Sequence, residues 1–138
     1  MGKIKYLLDT NICIHFIKND QNVVNKIREI GFINCYISEI TLLELLYGVA
    51  NSESSRKAKN REILKNLELS FDDRILRIYT AFEEFANQKA LLRKSGKPIS
   101  DFDMLIACTA LQHNLTLVSR NTKEMNRIEN LVLENWID

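Results

Sequence analysis

The chain is 138 residues long, the length of one domain, and such a chain buries roughly two-thirds of its unfolded surface, enough for a core without disulfide or metal staples. Its residues are 46% hydrophobic and 27% charged, and one proline with four glycines argues against disorder and against a turn-rich all-β fold. A formal net charge of +1 excludes the strongly basic surface of a non-specific nucleic-acid binder, and no apolar run approaches the ~20 residues that span a bilayer.

Met1 to Leu8 is too short for a signal-peptide core and runs into Asp9-Thr10-Asn11, so a cytoplasmic protein is expected. Cys13, Cys35 and Cys108 are odd in number, far apart and set among apolar residues, which predicts buried thiols rather than a disulfide or a zinc site.

Short apolar runs alternate with stretches of helical period. Ile4 to Leu8 predicts a buried first strand. Helices follow over Asn11 to Lys18 and Gln21 to Ile30, the second ended by Gly31. Cys35-Tyr36-Ile37 predicts a strand, and Ser38 the N-cap of a helix reaching about Val49. Beyond the polar turn Asn51 to Ser55, a helix covers Arg56 to Asn66, and the alternation Leu67-Glu68-Leu69-Ser70-Phe71 predicts a strand. A long helix is expected over Asp73 to Lys94, broken by Ser95-Gly96-Lys97-Pro98, and another from Asp101 to about His113. Strands at Leu115 to Val118 and Leu131 to Leu133 flank a short helical turn at Thr122 to Arg127. Five strands alternating with helices imply an α/β fold: a three-layer sandwich around a mainly parallel sheet, formed by a single domain over 1–138. Such sheets bind ligands at the carboxyl ends of their strands.

The acids cluster at such places. Asp9 directly follows the first strand, where an Asp is equally at home as a helix cap. Glu44 interrupts Ile40-Thr41-Leu42-Leu43-Glu44-Leu45-Leu46-Tyr47-Gly48-Val49 with no basic residue within a turn to pair with it. On a largely buried helix a carboxylate is costly unless a metal or hydrogen bonds compensate it, while a narrow exposed strip would leave it in water. Asp101 and Asp103 open an apolar helix, where Ser100-Asp101-Phe102-Asp103 also reads as a capping box. Asn121 follows the strand ending at Val118, a position that also suits a turn residue. Hard carboxylate oxygens without convergent His or Cys point to Mg²⁺ or Mn²⁺ rather than zinc. No G-x-x-x-x-G-K-[ST], G-x-G-x-x-G or G-x-S-x-G is present, which removes the usual nucleotide cradles and the hydrolase elbow.

Three segments taken together, Tyr6-Leu7-Leu8-Asp9-Thr10-Asn11, Ser38 to Gly48 and Pro98-Ile99-Ser100-Asp101-Phe102-Asp103-Met104-Leu105-Ile106-Ala107, resemble the PIN-domain ribonucleases and, among them, the VapC-type toxins, over essentially the whole chain. The resemblance implies an acidic Mg²⁺ pocket built by Asp9, Glu44 and Asp103, with Asp101 off the motif. It places Asn121 at a fourth catalytic position that is often Asp, which leaves three carboxylates and puts a second metal in question. It further implies metal-assisted hydrolysis of RNA, a small antitoxin as partner, and a homodimer. Two alternatives stay open: a PIN-domain RNA-processing nuclease without an antitoxin, and a non-catalytic module that binds metal or RNA, for instance one resembling a receiver domain.

Overall fold

The computed structural model describes residues 3–138. Its centre is a five-stranded sheet in the order β3-β2-β1-β4-β5, with every neighbouring pair parallel. The strands are β1 (Tyr6–Leu8), β2 (Cys35–Ser38), β3 (Ile75–Leu76), β4 (Thr116–Val118) and β5 (Leu133–Glu134). β1 and β4 are buried along their whole length, which is why their sequences read as continuous apolar runs rather than alternating ones. The pairing is in register across the centre, with Tyr6 beside Cys35 and Thr116, and Leu8 beside Val118.

Helices α1 (Thr10–Ile17), α2 (Gln21–Ile30) and α4 (Lys57–Phe71) cover one face, and α5 (Phe82–Lys94), α6 (Asp101–Gln112) and the short α7 (Thr122–Met125) cover the other. The pleat divides the core accordingly. Tyr6, Leu8 and Val118 pack with Ile12, Val23, Phe71 and Trp136, whereas Leu7 and Leu117 pack with Met104, Ile106, Ala110 and Met125. Helix α3 (Glu39–Ala50) contributes Ile40 to the second cluster and Leu42 and Leu45 to the edge of the first. The three-layer α/β/α sandwich expected from the sequence is thus present, with a sheet that is wholly parallel.

Four segments differ from the sequence expectation. Leu67 to Phe71 is not a strand but the last turn of α4, because Leu67 and Phe71, four residues apart, share the buried side while Leu69 is 67% exposed. The helix stops at Asp72, whose φ of +51° leaves the helical basin. Arg74 then fixes the entry to β3: its guanidinium donates to the carbonyls of Phe32 and Cys35 and lies 4.6 Å from the Phe32 ring and 5.4 Å from that of Phe71. The helix expected from Asp73 consequently begins only at Phe82, since Ile75 and Leu76 pair with Ile37 and Ser38 in the sheet. At the two ends the strands are displaced. Ile4 is 65% exposed and outside β1, and β5 starts two residues later than Leu131, with the ladder entered through Val132, whose carbonyl accepts from Leu117 N–H at 2.9 Å.

Candidate active site

The strand order reverses direction at β1, since the chain moves from β1 to β2 on one side and returns to β4 on the other. The crevice outside the carboxyl ends of β1 and β4 is the ligand-binding place of such a sheet. Asp9 leaves β1 there and Ser119 leaves β4. The Asp9 N–H still donates to Val118 at 2.9 Å, so the backbone ladder holds the two loop starts side by side.

Asp9 is 4% exposed. One carboxylate oxygen accepts the N–H of Thr10 at 2.8 Å and so caps α1; the other accepts the hydroxyl of Ser119 at 2.7 Å and the amide of Asn11 at 3.4 Å. Cap and site are the same residue. Burial pushes the Asp9 carboxyl up to about 6 against the pull of those hydrogen bonds, and the charges of Asp103 and Glu44 push it further the same way. Side-chain contacts through Thr10, Ser119 and Asn121 bring the three acids around one basin.

Glu44 reaches this basin from α3, where its carboxylate accepts the Thr10 hydroxyl at 2.5 Å, with the hydroxyl of Thr41 3.1 Å from that of Thr10. The expectation of a largely buried α3 does not hold. Leu43, Leu46 and Tyr47 are exposed, and Glu44 is half-buried between them and the inward stripe of Ile40 and Thr41. Asp103 arrives on the first turn of α6, where its N–H donates to Ser100 Oγ at 3.3 Å, half of the expected capping box. Asn121 Nδ2 donates to Asp103 Oδ2 at 3.1 Å, and Asn121 N–H donates to Ser119 Oγ at 3.0 Å. A chain of polar contacts therefore runs Asp9, Ser119, Asn121, Asp103 across the crevice. Asp101 points away and pairs with Lys89 at 2.9 Å.

Ser119, Thr10 and Asn11 are the members that sequence reasoning missed. The one sequence signal for Ser119 was its position, a hydroxyl residue directly after an apolar strand; the structure adds that it is fully buried.

The donor set fits a hard cation. Among the described residues no salt-bridge partner stands beside Asp9, Glu44 or Asp103, so the desolvated charge of Asp9 has no protein counter-ion. Nor do three His, Cys, Asp or Glu side chains, among the described residues, converge on a single ligand shell. A cation here would be held by one or two carboxylates directly and by the others through water, the manner in which Mg²⁺ is usually bound.

Beside the basin runs an apolar groove of about 300 Å³ between α1, α3 and α4, lined by Ile14, Ile17, Leu45, Val49, Ile63 and Leu64, with Glu44 and Lys18 also on its wall.

Known proteins resemble this chain in sequence and in fold. The model of the PIN domain matches residues 6–131. Ribonuclease VapC2 of Rickettsia felis is 38% identical, over 95% of this chain and 97% of its own length. The tRNA(fMet)-specific endonuclease VapC of Shigella flexneri is 33% identical, over 96% and 98%. In three dimensions the chain superposes on VapBC2 from Rickettsia felis, crystallised with a DNA fragment from its promoter, with a TM-score of 0.84 and 35% identity over 96% of this chain and 99% of that one. The DNA-bound VapBC of Salmonella typhimurium gives 0.86 at 29% identity, covering 97% and 99%. With the acids placed at the switch point of a parallel sheet, and with likeness over nearly the full length, the chain belongs to the PIN-domain family and, within it, to the VapC ribonuclease toxins.

Proposed function

We propose that the chain is a Mg²⁺-dependent endoribonuclease that hydrolyses RNA phosphodiester bonds and is held in check by a small antitoxin. The observation that carries this reading is Asp9: a carboxylate buried at the strand-end crevice, raised to about 6, facing two further acids and lacking a cationic neighbour. Asp9 and Asp103 would hold Mg²⁺, or Mn²⁺ in its place, directly or through water, with Glu44 completing the set. The bound ion supplies charge to offset the phosphoryl oxygens and lowers the pKa of water.

The chain's own residues set the geometry. Ser119 fixes one Asp9 oxygen from β4, which leaves the carboxylate a single orientation toward the crevice. Asn121 fixes Asp103 in the same way and takes the fourth position as an orienting amide rather than a ligand. Glu44, already accepting from Thr10 at one oxygen, keeps the other to orient an attacking water. The arrangement suits one metal ion better than two.

The apolar groove supports a docking place for the antitoxin. A partner helix laid against Ile14, Ile17, Ile63 and Leu64 would run alongside Glu44 and could extend a basic side chain into the acids. The exposed row Leu43, Leu46 and Tyr47 on the outer side of α3 would serve as the surface for a second copy of the chain.

The name of the Shigella relative makes tRNA the first substrate to try. Purified protein is expected to cleave tRNA with Mg²⁺ and not with EDTA, and Asp9→Asn is expected to lose cleavage while keeping its circular dichroism. Mg²⁺ should also raise the melting temperature of the wild type but not of Asp9→Asn. Cleavage that persists in EDTA or in Asp9→Asn would refute the mechanism.

A further inference from the structure

Arg120 is a cation that belongs to the polar network around the acids. Arg120 lies between Ser119, which bonds Asp9, and Asn121, which bonds Asp103, and its own N–H donates to Asn11 Oδ1 at 3.2 Å. Its backbone is therefore part of the crevice wall, while its side chain extends into solvent, 53% exposed. There the side chain is occupied: Nε and one terminal nitrogen each donate to a different oxygen of Asp138 at 3.1 Å, a two-pronged pair.

Asp138 is placed for this. Asn135 Oδ1 accepts the N–H groups of Ile137 and Asp138 at 2.9 and 3.3 Å, and Asn135 Nδ2 donates to Asp138 Oδ2 at 3.2 Å. Trp136 and Ile137, on either side of that turn's middle, are buried in the core, with Trp136 5.3 Å from the Tyr6 ring and the Ile137 carbonyl accepting from Asn22. The turn is anchored, and it aims the carboxylate at Arg120. The pair itself is nonetheless in water, with the side chains 53% and 57% exposed, so as a stabilising contact it contributes little.

We propose that Arg120 is the residue that grips an RNA phosphate at the rim of the acids, and that Asp138 is a resting counter-ion which RNA must displace. Three acids around one crevice repel a polyanion, so a substrate needs a cation at the margin to approach at all. A guanidinium matches two phosphate oxygens in the fork geometry it now offers to Asp138. An exposed pair exchanges partners at little cost, and its carboxylate makes each grip conditional on competition. The inference rests on the nuclease reading above and adds a substrate-binding residue and its competitor.

The test is binding of unfractionated tRNA to the full chain in EDTA, where no cleavage occurs, across a salt series. Arg120→Gln is expected to weaken binding about fivefold and to lower the slope of log affinity against log salt by roughly 1. Asp138→Asn is expected to tighten binding about threefold. Asp73→Asn, the same charge change on the turn that leads into β3, at the opposite edge of the sheet from β5, controls for net charge and should do much less. In the double variant Arg120→Gln/Asp138→Asn, the gain from Asp138 should vanish, because it acts only through Arg120. A pair that merely fastens the turn would shift both variants in the same direction. Equal binding by Asp138→Asn and Asp73→Asn, or unchanged binding by Arg120→Gln, would overturn the inference while leaving the nuclease in place. A wild-type chain that holds no RNA in EDTA would overturn the inference, while the nuclease reading stands or falls on cleavage with Mg²⁺.

Discussion

Asp9 carries three demands at once: it caps α1, accepts from Ser119 and sits in an acidic basin with almost no water. Its carboxyl is raised from 3.8 to about 6, so the folded chain holds a proton there that the unfolded chain has already released. Between these values stability falls as pH rises, and above the folded value the full penalty applies, on the order of 3 kcal/mol. Without divalent ions, Asp9→Asn should therefore melt above the wild type at pH 7.5, and that advantage should disappear below about pH 4, as differential scanning calorimetry would show. A variant that melts no higher than wild type at pH 7.5 would mean that burial of the charge is already compensated by the three donors around it. At this scale the sequence was informative about the acids and silent about their holders. Position after an apolar strand marks Asp9, whereas the hydroxyls of Ser119 and Thr10 matter only because β4 and α1 bring them within hydrogen-bond distance, which no local pattern encodes.

At the scale of elements, the same short run can satisfy two periods. Leu67, Leu69 and Phe71 alternate as a strand would, yet Leu67 and Phe71 also fall four apart on a helix, and the buried pair decided the outcome. Phe71 is fully enclosed beside Phe32, with ring centres 4.8 Å apart. Phe71→Ala is expected to cost about 3–5 kcal/mol, and Leu69→Ala no more than about 0.5 kcal/mol, in urea unfolding. A cost at Leu69 comparable with that at Phe71 would favour the strand reading, in which the two share a face. Capped helices were far more legible: Gly31 ends α2 as the sequence indicates, and Ser38 and Ser100 cap α3 and α6 through their side chains, while the Asp20 cap of α2 is seen only in the structure. What the apolar run of α3 hid was its outward side. Leu43, Leu46 and Tyr47 face solvent, and a charge placed among them should prevent self-association. On the proposal that this row pairs two copies, the wild type is expected to run as a dimer in light scattering and Tyr47→Glu as a monomer, and a dimer unchanged by Tyr47→Glu would refute that interface.

Over the whole molecule, the alternation of apolar runs and helices was enough to indicate a layered α/β fold, but not that β1 would lie at its centre with β2 on one side and β4 on the other. That order is set by long-range packing, with Leu7 and Leu117 on one side of the sheet and Leu8 and Val118 on the other. The three thiols report on the integrity of this packing. Burial pushes the Cys35 and Cys108 thiols up to about 12 and raises that of Cys13 further in the same direction. In the native chain alkylation at pH 8 should be slow for all three and should track global unfolding in a urea series. Rapid labelling of any one in the native chain would identify a region that opens on its own.

Asp9 and the Ser119 that holds it are 110 residues apart in sequence, and Asp103 also lies in the later half. Protein synthesis delivers the early half first. A nascent chain that has not yet produced α6 and β4 presents Asp9 and Glu44 without their counterparts, so no incomplete product can assemble the basin. For a ribonuclease, this order of delivery withholds the assembled basin until the last strands are in place.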